Sequence, residues 1–578
     1  VIARDGGEAR AVTRAPEGVR QFAWRPDGTA IAYIARDTVP APTERYNDAF
    51  EAGNDAYLTT RAPMPAHLWI VEFASAQPGD ARRLTSGDWS AATSLATSPL
   101  SWSADGRTIA FVRFATPHSG DTDQSAVWLL DVGTGALTAL TGRRERESSP
   151  AFSPDGKWIA YAYPRDGDPA NLDEIHVAPA RAAAVAARVA DGADTAETAD
   201  GAGPGGAARG RGRAVTRELD RHITEFAWLP DGFALCVLGT DGTRSALWIQ
   251  PLGGRPRRVS LGDIAAVSDL SVGTRSGAGE VIAFVGVEPG RPAELYYLAS
   301  PSAKPRRVTN FHAEIAGRAL GQTEAFSWET HDGMQADGVL TLPPGFTSER
   351  RYSLVLLIHG GPTASSTEEF STRAQLLAAQ GWLVFQPNYR GSDNRGNAFQ
   401  RAIAASAAEG PGRDIMAGVA ALTRRGIVDT TRMAVTGWSY GGYLTAWLLG
   451  RYPEAWRAGV AGAAPMSLLD MYNLSDLNVM RRHAITASPW VGDRIDSWLA
   501  ESPIVHAWRI RAPTLILSNS GDVRVAATGS YALYHALRDN NVPVQFVVYP
   551  GAGHAPSDPV RQRDVQRRWI EWLAQHLR

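Results

Sequence analysis

Ser439 lies in a segment whose residue types and spacing could support nucleophilic catalysis. Gly437-Trp-Ser-Tyr-Gly441 matches the G-x-S-x-G pattern, in which a sharp strand-to-helix turn presents a serine hydroxyl. The apolar run 433–436 precedes the segment and an apolar helical pattern follows it, as this motif requires. The same letters also occur in plain glycine-rich turns. The flanking pattern favours the nucleophile elbow, with Ser439 as the nucleophile.

Two residues downstream could activate that serine. A serine hydroxyl is a poor nucleophile until a base takes its proton, and a buried acid must orient the base. In this class of hydrolase the acid and the histidine follow the serine in that order, each after a strand. Asp522 follows the apolar run 514–517 and His554 follows the run 544–549, so the predicted triad is Ser439, Asp522 and His554. The weaker downstream alternatives are His483, His506, His535, Asp493, Asp496 and Asp558.

The tetrahedral intermediate of such a reaction needs hydrogen-bond donors for its oxyanion. One donor is expected from the backbone N–H of Tyr440, the residue after the nucleophile. The segment His359-Gly-Gly-Pro362 follows an apolar run and could supply a second donor from the N–H of Gly360 or Gly361. A tight turn without a catalytic role is an equally good interpretation of this segment.

The elements that must position these residues begin after residue 317. From about residue 318, apolar runs alternate with amphipathic stretches, which predicts a mainly parallel sheet covered by helices, the α/β-hydrolase arrangement. We therefore predict a catalytic domain over 318–578. The predicted strands are 326–329, 338–342, 354–358, 383–386, 433–436, 458–461, 514–517 and 544–549, and the predicted helices are near 371–380, 413–425, 440–450, 527–539 and 559–577.

Residues 1–317 repeat a different unit, which predicts an N-terminal β-propeller. Each unit has an aromatic residue, a turn ending in Asp-Gly, an alternating apolar strand and a later strand with a Thr-rich end. About five full blades are visible, with the tail of an earlier one at 1–13, so one or two blades are expected upstream of Val1. The repeated turns are Phe22-Ala-Trp-Arg-Pro-Asp-Gly28, Leu100-Ser-Trp-Ser-Ala-Asp-Gly106, Ala151-Phe-Ser-Pro-Asp-Gly156 and Phe226-Ala-Trp-Leu-Pro-Asp-Gly232.

Two insertions interrupt the repeats. Residues 181–213 consist almost entirely of Ala, Gly, Arg, Asp and Thr, a composition that cannot offset the entropy of ordering, so we predict a disordered surface loop. Residues 37–66 could project towards a neighbouring domain, although a solvated loop is the simpler interpretation. This insertion contains Glu44, Asp48, Glu51 and Asp55.

The composition excludes several function classes. The 578 residues carry a formal net charge of -2, so no basic field points to nucleic acid or to an anionic membrane. No stretch approaches the roughly 20 apolar residues of a membrane-spanning helix. The only cysteine, Cys236, lies in an apolar run, which rules out an intrachain disulfide and predicts a core thiol.

Three motifs together resemble the prolyl oligopeptidase family of serine peptidases. They are Gly437-Trp-Ser-Tyr-Gly-Gly-Tyr443, His359-Gly-Gly-Pro362 and Asn388-Tyr-Arg-Gly-Ser392, combined with the triad spacing and the propeller. The acylaminoacyl peptidase and dipeptidyl peptidase branches are nearer than prolyl oligopeptidase itself. The resemblance implies acyl-enzyme hydrolysis of short peptides without a cofactor, behind a propeller that filters substrates by size. A carboxylesterase with the same triad and an inactive propeller binding protein are the alternatives.

The resemblance also implies roles for residues outside the triad. Arg524 matches a position that holds a substrate carbonyl in relatives, and Tyr443 and Tyr472 could line the pocket for the residue before the cleaved bond. Arg395 stands where we align a tyrosine that donates to the oxyanion in relatives, so Arg395 is a third candidate for the second donor. Dipeptidyl peptidases hold the substrate's amino terminus with paired propeller glutamates, and Glu44 and Glu51 are candidates for such a pair.

Several properties stay open at this point. They are the residue preference, exopeptidase or endopeptidase action, association into a homo-oligomer, and the compartment. Because members of this family occur both in the cytoplasm and outside it, the resemblance does not decide the compartment. We expect a periplasmic or secreted location rather than a cytoplasmic one.

Overall fold

The computed structural model describes most of the 578 residues. The described ranges are 1–2, 6–39, 49–74, 77–141, 145–180, 212–275, 279–404, 406–477 and 487–578. The predicted disordered loop lies outside the described residues except for 212 and 213. The acidic residues Glu44 and Asp48, and the alternative histidine His483, also lie outside them.

The N-terminal part consists of five antiparallel sheets that follow one another along the chain, which confirms the β-propeller. The glycines of the four repeated turns, Gly28, Gly106, Gly156 and Gly232, all have φ close to +70°, a conformation that favours glycine in tight turns. The blade strands are β1 Val19–Trp24, β2 Ala30–Arg36, β3 Ala66–Ala74, β4 Gln77–Pro78, β5 Arg82–Arg83, β6 Ser101–Trp102, β7 Thr108–Phe114, β8 Ser125–Asp131, β9 Leu137–Ala139, β10 Ser148–Phe152, β11 Trp158–Pro164, β12 Asp173–Pro179, β13 Arg213–Ala214, β14 Ile223–Trp228, β15 Ala234–Asp241, β16 Arg244–Pro251, β17 Arg257–Val259, β18 Ala266–Arg275, β19 Gly279–Glu288, β20 Arg291–Leu298 and β21 Arg306–Arg307.

Apolar side chains hold successive blades together. The first and second blades share a buried cluster that includes Leu68 and Phe111, and the fourth and fifth share one that includes Leu247 and Phe284. Cys236 belongs to the latter cluster, and its burial raises the pKa of the thiol to about 12. The structure therefore confirms a core thiol at this position.

The C-terminal part contains one eight-stranded sheet in the order β22-β23-β25-β24-β26-β27-β28-β29. The pairs β22/β23 and β23/β25 are antiparallel, and all the remaining pairs are parallel. This is the predicted opening hairpin followed by a parallel sheet. Its strands are β22 Thr323–Glu329, β23 Gln335–Thr341, β24 Tyr352–Ile358, β25 Leu383–Asn388, β26 Val428–Trp438, β27 Ala458–Gly462, β28 Thr514–Gly521 and β29 Val544–Ala552.

Helices cover both faces of this sheet. Helices α4 and α5 pack on one face in a core that includes Trp447, and α2 and α9 pack on the other in a core that includes Trp569. The helices are α1 Ala313–Ala316, α2 Thr372–Ala378, α3 Asn397–Arg401, α4 Glu409–Arg424, α5 Tyr440–Arg451, α6 Leu468–Leu474, α7 Ile495–Ala500, α8 Thr528–Asp539 and α9 Pro559–His576. In the described part of the chain, no helix combines the length and the apolar character needed to cross a membrane.

Loops from the two parts meet through polar contacts. The Leu172 N–H donates to Asn397 Oδ1 at 3.0 Å, and Asn394 Nδ2 donates to the Gly242 carbonyl at 2.9 Å. Arg244 and Glu368 form an ion pair across the same boundary, with Nη2 3.3 Å from Oε2. These contacts place the segment after β25, together with α3, directly against the propeller.

Candidate active site

Ser439 occupies a strained turn between β26 and α5. Its φ of 60° and ψ of -125° are unfavourable for a non-glycine residue, at a cost of roughly 1–3 kcal/mol. A Cβ at Gly437 would lie 2.3 Å from the Gly441 backbone, and a Cβ at Gly441 would lie 2.1 Å from the Ile358 carbonyl oxygen. Only glycine fits at these two positions. The turn therefore has the geometry of a nucleophile elbow.

Asp522 and His554 come together at the carboxyl edge of the same sheet. His554 Nδ1 lies 2.8 Å from Asp522 Oδ2, and the Asp522 side chain is fully buried. Asp522 Oδ1 accepts the N–H groups of Arg524 and Val525, which fixes the carboxylate. Because the carboxylate accepts the proton on Nδ1, Nε2 is the nitrogen left to act as a base.

The histidine is held beside the nucleophile turn. Trp438, the residue before Ser439, donates its indole N–H to the His554 carbonyl at 3.1 Å. His554 Nε2 is buried and makes no hydrogen bond to any described residue. In unliganded enzymes, catalytic hydrogen bonds are often formed only when substrate is bound. The arrangement can pass a proton from Ser439 to His554 and on to a leaving group.

The loop after β24 lies directly against the nucleophile. A Cβ at Gly360 would be 3.3 Å from Ser439 Cβ and 3.9 Å from Ser439 Oγ. The N–H groups of Gly360 and Gly361 make no hydrogen bond to a described residue, and the Tyr440 N–H lies at the start of α5, directly after the nucleophile. These amides are the donors that the geometry offers to an oxyanion.

The side chains of His359 and Tyr389 stabilise this loop. His359 Nδ1 lies 2.7 Å from the Gly360 carbonyl oxygen, and the Tyr389 hydroxyl donates to the His359 carbonyl at 2.9 Å. The two rings stack with their centroids 4.5 Å apart. Burial raises the pKa of the Tyr389 hydroxyl well above its usual range, so it stays a donor. No spacing or motif in the sequence predicts these supporting contacts.

Arg395, the third candidate for the second oxyanion donor, forms an ion pair, and its oxyanion role stays a prediction. Its Nη1 lies 2.8 Å from Asp337 Oδ2, in an ion pair with a carboxylate that is almost fully buried. The other oxygen of Asp337 accepts from the side-chain amides of Asn388 and Asn394. Because a buried carboxylate needs this counter-charge, the guanidinium is committed to the network that fixes the loop after β25.

An apolar cavity of about 590 Å³ opens beside Ser439. Tyr443 lines it, as predicted from the resemblance, and donates its hydroxyl to the Glu501 carbonyl at 2.6 Å. Tyr472 is not among the lining residues, and its ring packs edge-on against Trp498, which is; its predicted role in the pocket stays a prediction. The lining residues are Gly361, Pro362, Ile403, Ala407, Ser439, Tyr440, Tyr443, Pro465, Leu468, Met471, Trp498 and Val525.

Arg524 is fixed next to the catalytic acid. Its Nε and Nη2 bind the two carboxylate oxygens of Asp476 at 2.6 and 3.2 Å. The side chain remains about one-third exposed, and Nη1 has no partner among the described residues. The paired guanidinium is therefore preorganised, and its predicted role of holding a substrate carbonyl stays a prediction.

A second, polar cavity of about 770 Å³ lies where the propeller faces the hydrolase domain. Asp123, Arg146, Asp173 and His222 contribute its charged and titratable groups, and Thr363 and Gln400 close it from the hydrolase side. Thr363 directly follows Gly361 and Pro362 of the apolar cavity. The two cavities are therefore neighbours, separated by the chain at 361–363.

The described charged groups of the polar cavity are unequal in number, with two carboxylates and one guanidinium. Arg146 Nη2 pairs with Asp123 Oδ2 at 3.2 Å, and the Asp173 N–H donates to His222 Nδ1 at 3.1 Å. No described residue donates a hydrogen bond to the Asp173 carboxylate. Burial raises the pKa of this carboxyl, although Arg146 and His222 are near enough to act in the opposite direction.

One group of possible metal ligands lies elsewhere in the hydrolase domain. His331, Asp332 and Asp414 approach one another closely, but Arg390 Nη2 binds Asp414 Oδ1 at 2.7 Å and Asp332 Oδ1 at 2.9 Å. The guanidinium already supplies the positive charge that a metal ion would bring. This arrangement is an ion-pair network that supports the segment after β25.

Sequence reasoning missed two groups of residues that matter for binding. The apolar cavity uses Met471 and Trp498, which carry no motif, and the polar cavity uses Asp123, Arg146, Asp173 and His222 from three blades. Glu51, a candidate for binding the amino terminus, is exposed and does not line either cavity. No spacing in the sequence predicts these groups, because the first converges through the packing of hydrolase helices and the second through the packing of successive blades.

Comparisons with known proteins agree with this geometry. Residues 368–578 match the model of the prolyl oligopeptidase family. The chain is 24% identical to dipeptidyl-peptidase 5 of Porphyromonas gingivalis, over 83% of this chain and 67% of that protein. It is 27% identical to the acylamino-acid-releasing enzyme of Mus musculus, over 42% of this chain and 34% of that protein.

The fold of the whole chain has solved counterparts. The structure of Pyrococcus horikoshii acylaminoacyl peptidase superposes with a TM-score of 0.75 at 18% identity, covering 97% of this chain and 82% of that one. This likeness includes both the propeller and the hydrolase domain. The elbow at Ser439, the Asp522–His554 pair and the family match agree: residues 368–578 of this chain are similar to the prolyl oligopeptidase family of serine peptidases.

Proposed function

We propose that this peptidase removes short fragments, in the first instance dipeptides, from the free amino terminus of peptides. The observation that carries the proposal is the buried carboxyl group of Asp173, which accepts no hydrogen bond from a described residue and lies in a polar cavity next to the apolar cavity at Ser439. A serine peptidase of this family hydrolyses peptides by acyl-enzyme chemistry. The choice among substrates then depends on what the two cavities bind.

The direction of the substrate follows from the chemistry. His554 must protonate the leaving amine, so the leaving part of the substrate lies on the histidine side of Ser439. The apolar cavity contains Ser439 but not His554 among its lining residues, and it suits the apolar side chain of the residue before the cleaved bond. The chain of the acyl part continues away from His554, past 361–363, towards the polar cavity.

The polar cavity suits a positively charged terminus. A peptide's α-ammonium group would donate charged hydrogen bonds to the Asp173 carboxylate, which accepts none from a described residue, and a buried carboxylate without such partners is costly. An acetylated amino terminus has no charge and would not form these charged hydrogen bonds. Two relatives, from Porphyromonas gingivalis and Pseudoxanthomonas mexicana, are named as dipeptidyl peptidases, which supports this direction over N-acyl recognition.

The test compares glycyl-phenylalanyl p-nitroanilide with its N-acetylated form, in the wild type and in Asp173→Asn. We expect the wild type to prefer the free amine, and the variant to raise KM for it by about 10- to 100-fold, the value of one hydrogen bond to a charged group. The acetylated substrate should be cleaved equally by both proteins. Glu51→Gln is the matched control, because it removes an exposed propeller carboxylate outside the cavity.

The alternatives predict different results. Faster cleavage of the acetylated substrate would assign the protein to N-acyl substrates, the kind named for its acylamino-acid-releasing relatives. Equal rates on both substrates would mean that the amino terminus is not recognised. Phenylalanyl and glycyl-glycyl-phenylalanyl anilides decide the length of the released fragment.

We also propose a periplasmic or secreted location, which is tested by fractionating cells that express the complete gene.

A further inference from the structure

A short segment of the first blade reaches across to the hydrolase domain. Residues 53–58, which we call the arm, lie in the insertion between β2 and β3, where the sequence left open a solvated loop or a projection towards a neighbouring domain. Ala56 is buried, whereas Tyr57 and Leu58 are each 39% exposed. The arm is therefore partly exposed to solvent. Its role follows from the contacts that its two ends make.

One end of the arm is fixed to the second blade. The Asp55 carboxylate accepts the Ser119 N–H at 3.0 Å and lies 2.5 Å from His118 Nδ1. The Asn54 carbonyl accepts the Gly120 N–H at 2.6 Å. These contacts join two blades through backbone and side chain, so the arm leaves the propeller in a fixed direction.

The other end contacts the hydrolase domain close to the catalytic acid. The Tyr57 N–H donates to the carbonyl of Leu474, the last residue of α6, at 3.1 Å. The next residue, Ser475, donates its hydroxyl to the Arg524 carbonyl at 2.8 Å. The contact therefore continues into residues 522–527, which we call the acid loop because it begins with Asp522.

The Tyr57 side chain faces the acid loop as well. The Ala527 N–H points at its hydroxyl oxygen, and the hydroxyl is near enough to Asp522 for that charge to act on it. Burial and the Asp522 carboxylate raise the pKa of Tyr57, so the phenol stays protonated at neutral pH. Backbone and side chain of one propeller residue thus contact both α6 and the acid loop.

We propose that Tyr57 is a positioning residue of the peptidase: the docked arm holds the acid loop in the arrangement in which Asp522 orients His554. The propeller then contributes to the rate of the chemical step in addition to selecting substrates. This inference depends only on the serine hydrolase mechanism and not on recognition of the substrate's amino terminus.

The experiment measures how fast a small fluorophosphonate labels Ser439 in the full chain, together with kcat and KM for a dipeptide anilide. Labelling requires an activated serine but no peptide binding. Tyr57→Ala removes the ring that faces the acid loop but keeps the backbone contact. We expect the labelling rate and kcat to fall together by about tenfold, because the acid loop loses this support, with KM unchanged. Tyr57→Phe keeps the ring and the backbone contact, and should recover most of the rate.

Two further variants make the result specific. Leu58→Ala is the matched control, since Leu58 lies in the same arm with the same exposure and should label at the wild-type rate. Asp55→Asn weakens the anchor on the second blade without altering the hydrolase domain, and should slow labelling in the same direction. If Tyr57→Ala is labelled as fast as wild type, or if its defect appears only in KM or only with long peptides, the positioning role is wrong.

Discussion

The two cavities on either side of residues 361–363 are built in opposite ways. The apolar cavity is formed entirely by the hydrolase domain, from side chains that extend its buried core. The polar cavity takes most of its lining from the second, third and fourth blades, with charged groups that only partly neutralise one another. From this difference we infer separate roles for the two parts. The hydrolase domain supplies the catalytic residues and a pocket for an apolar side chain, and the propeller selects substrates by their charge.

The largest expected effects lie on the hydrolase side of this comparison. Ser439→Ala should lower kcat by about 10⁴- to 10⁶-fold on every substrate, because no nucleophile remains. Asp522→Asn should lower it by about 10⁴-fold, because the amide favours the wrong tautomer of His554. Steady-state kinetics with free and acetylated anilides measure both. A loss confined to the free-amine substrate would contradict the assignment of these residues to the chemical step.

An intermediate effect is expected from the loop between the cavities. Gly361 has φ of 121°, and a Cβ there would lie 2.8 Å from the Thr363 nitrogen, so Gly361→Ala must shift the loop. We expect kcat to fall by about 10²- to 10³-fold, the usual cost of one lost oxyanion donor. Arg395→Gln, which removes the competing candidate donor, should change kcat less than tenfold. If Arg395→Gln lowers kcat more than Gly361→Ala does, the oxyanion role belongs to Arg395. Melting temperatures check that both variants fold.

The smallest expected effect concerns pH and belongs to the propeller. Only the ionised form of Asp173 attracts an ammonium group, and burial raises the pKa of this carboxyl. Acidification should therefore protonate Asp173 before an ordinary aspartate, and the preference for free over acetylated substrate should shrink in that range. The ratio of kcat/KM for the two substrates isolates this effect, because a pH effect on the catalytic residues acts on both substrates. A ratio that is flat with pH in the wild type would contradict the role of Asp173.

Much of the fold could be predicted because its signals are local. The Asp-Gly turns repeat with the same left-handed glycine conformation, and the apolar runs 354–358 and 514–517 fall within buried parallel strands. Helix boundaries were less accurate: α4 begins at Glu409, four residues before the predicted start, because its first turn contains glycines and a proline. Glycine and proline are poor helix formers in a sequence pattern, yet proline is tolerated in a first turn.

The same distinction applies to the site. The sequence by itself determined the elbow at Ser439 and the order of the two partners after it, because each lies next to a short apolar strand and the carboxyl ends of parallel strands share one edge of the sheet. Only the tertiary structure decided that Arg395 binds Asp337, that Tyr472 packs behind Trp498, and that Tyr57 meets the acid loop. These contacts join residues far apart in the chain, so they depend on how blades and helices pack.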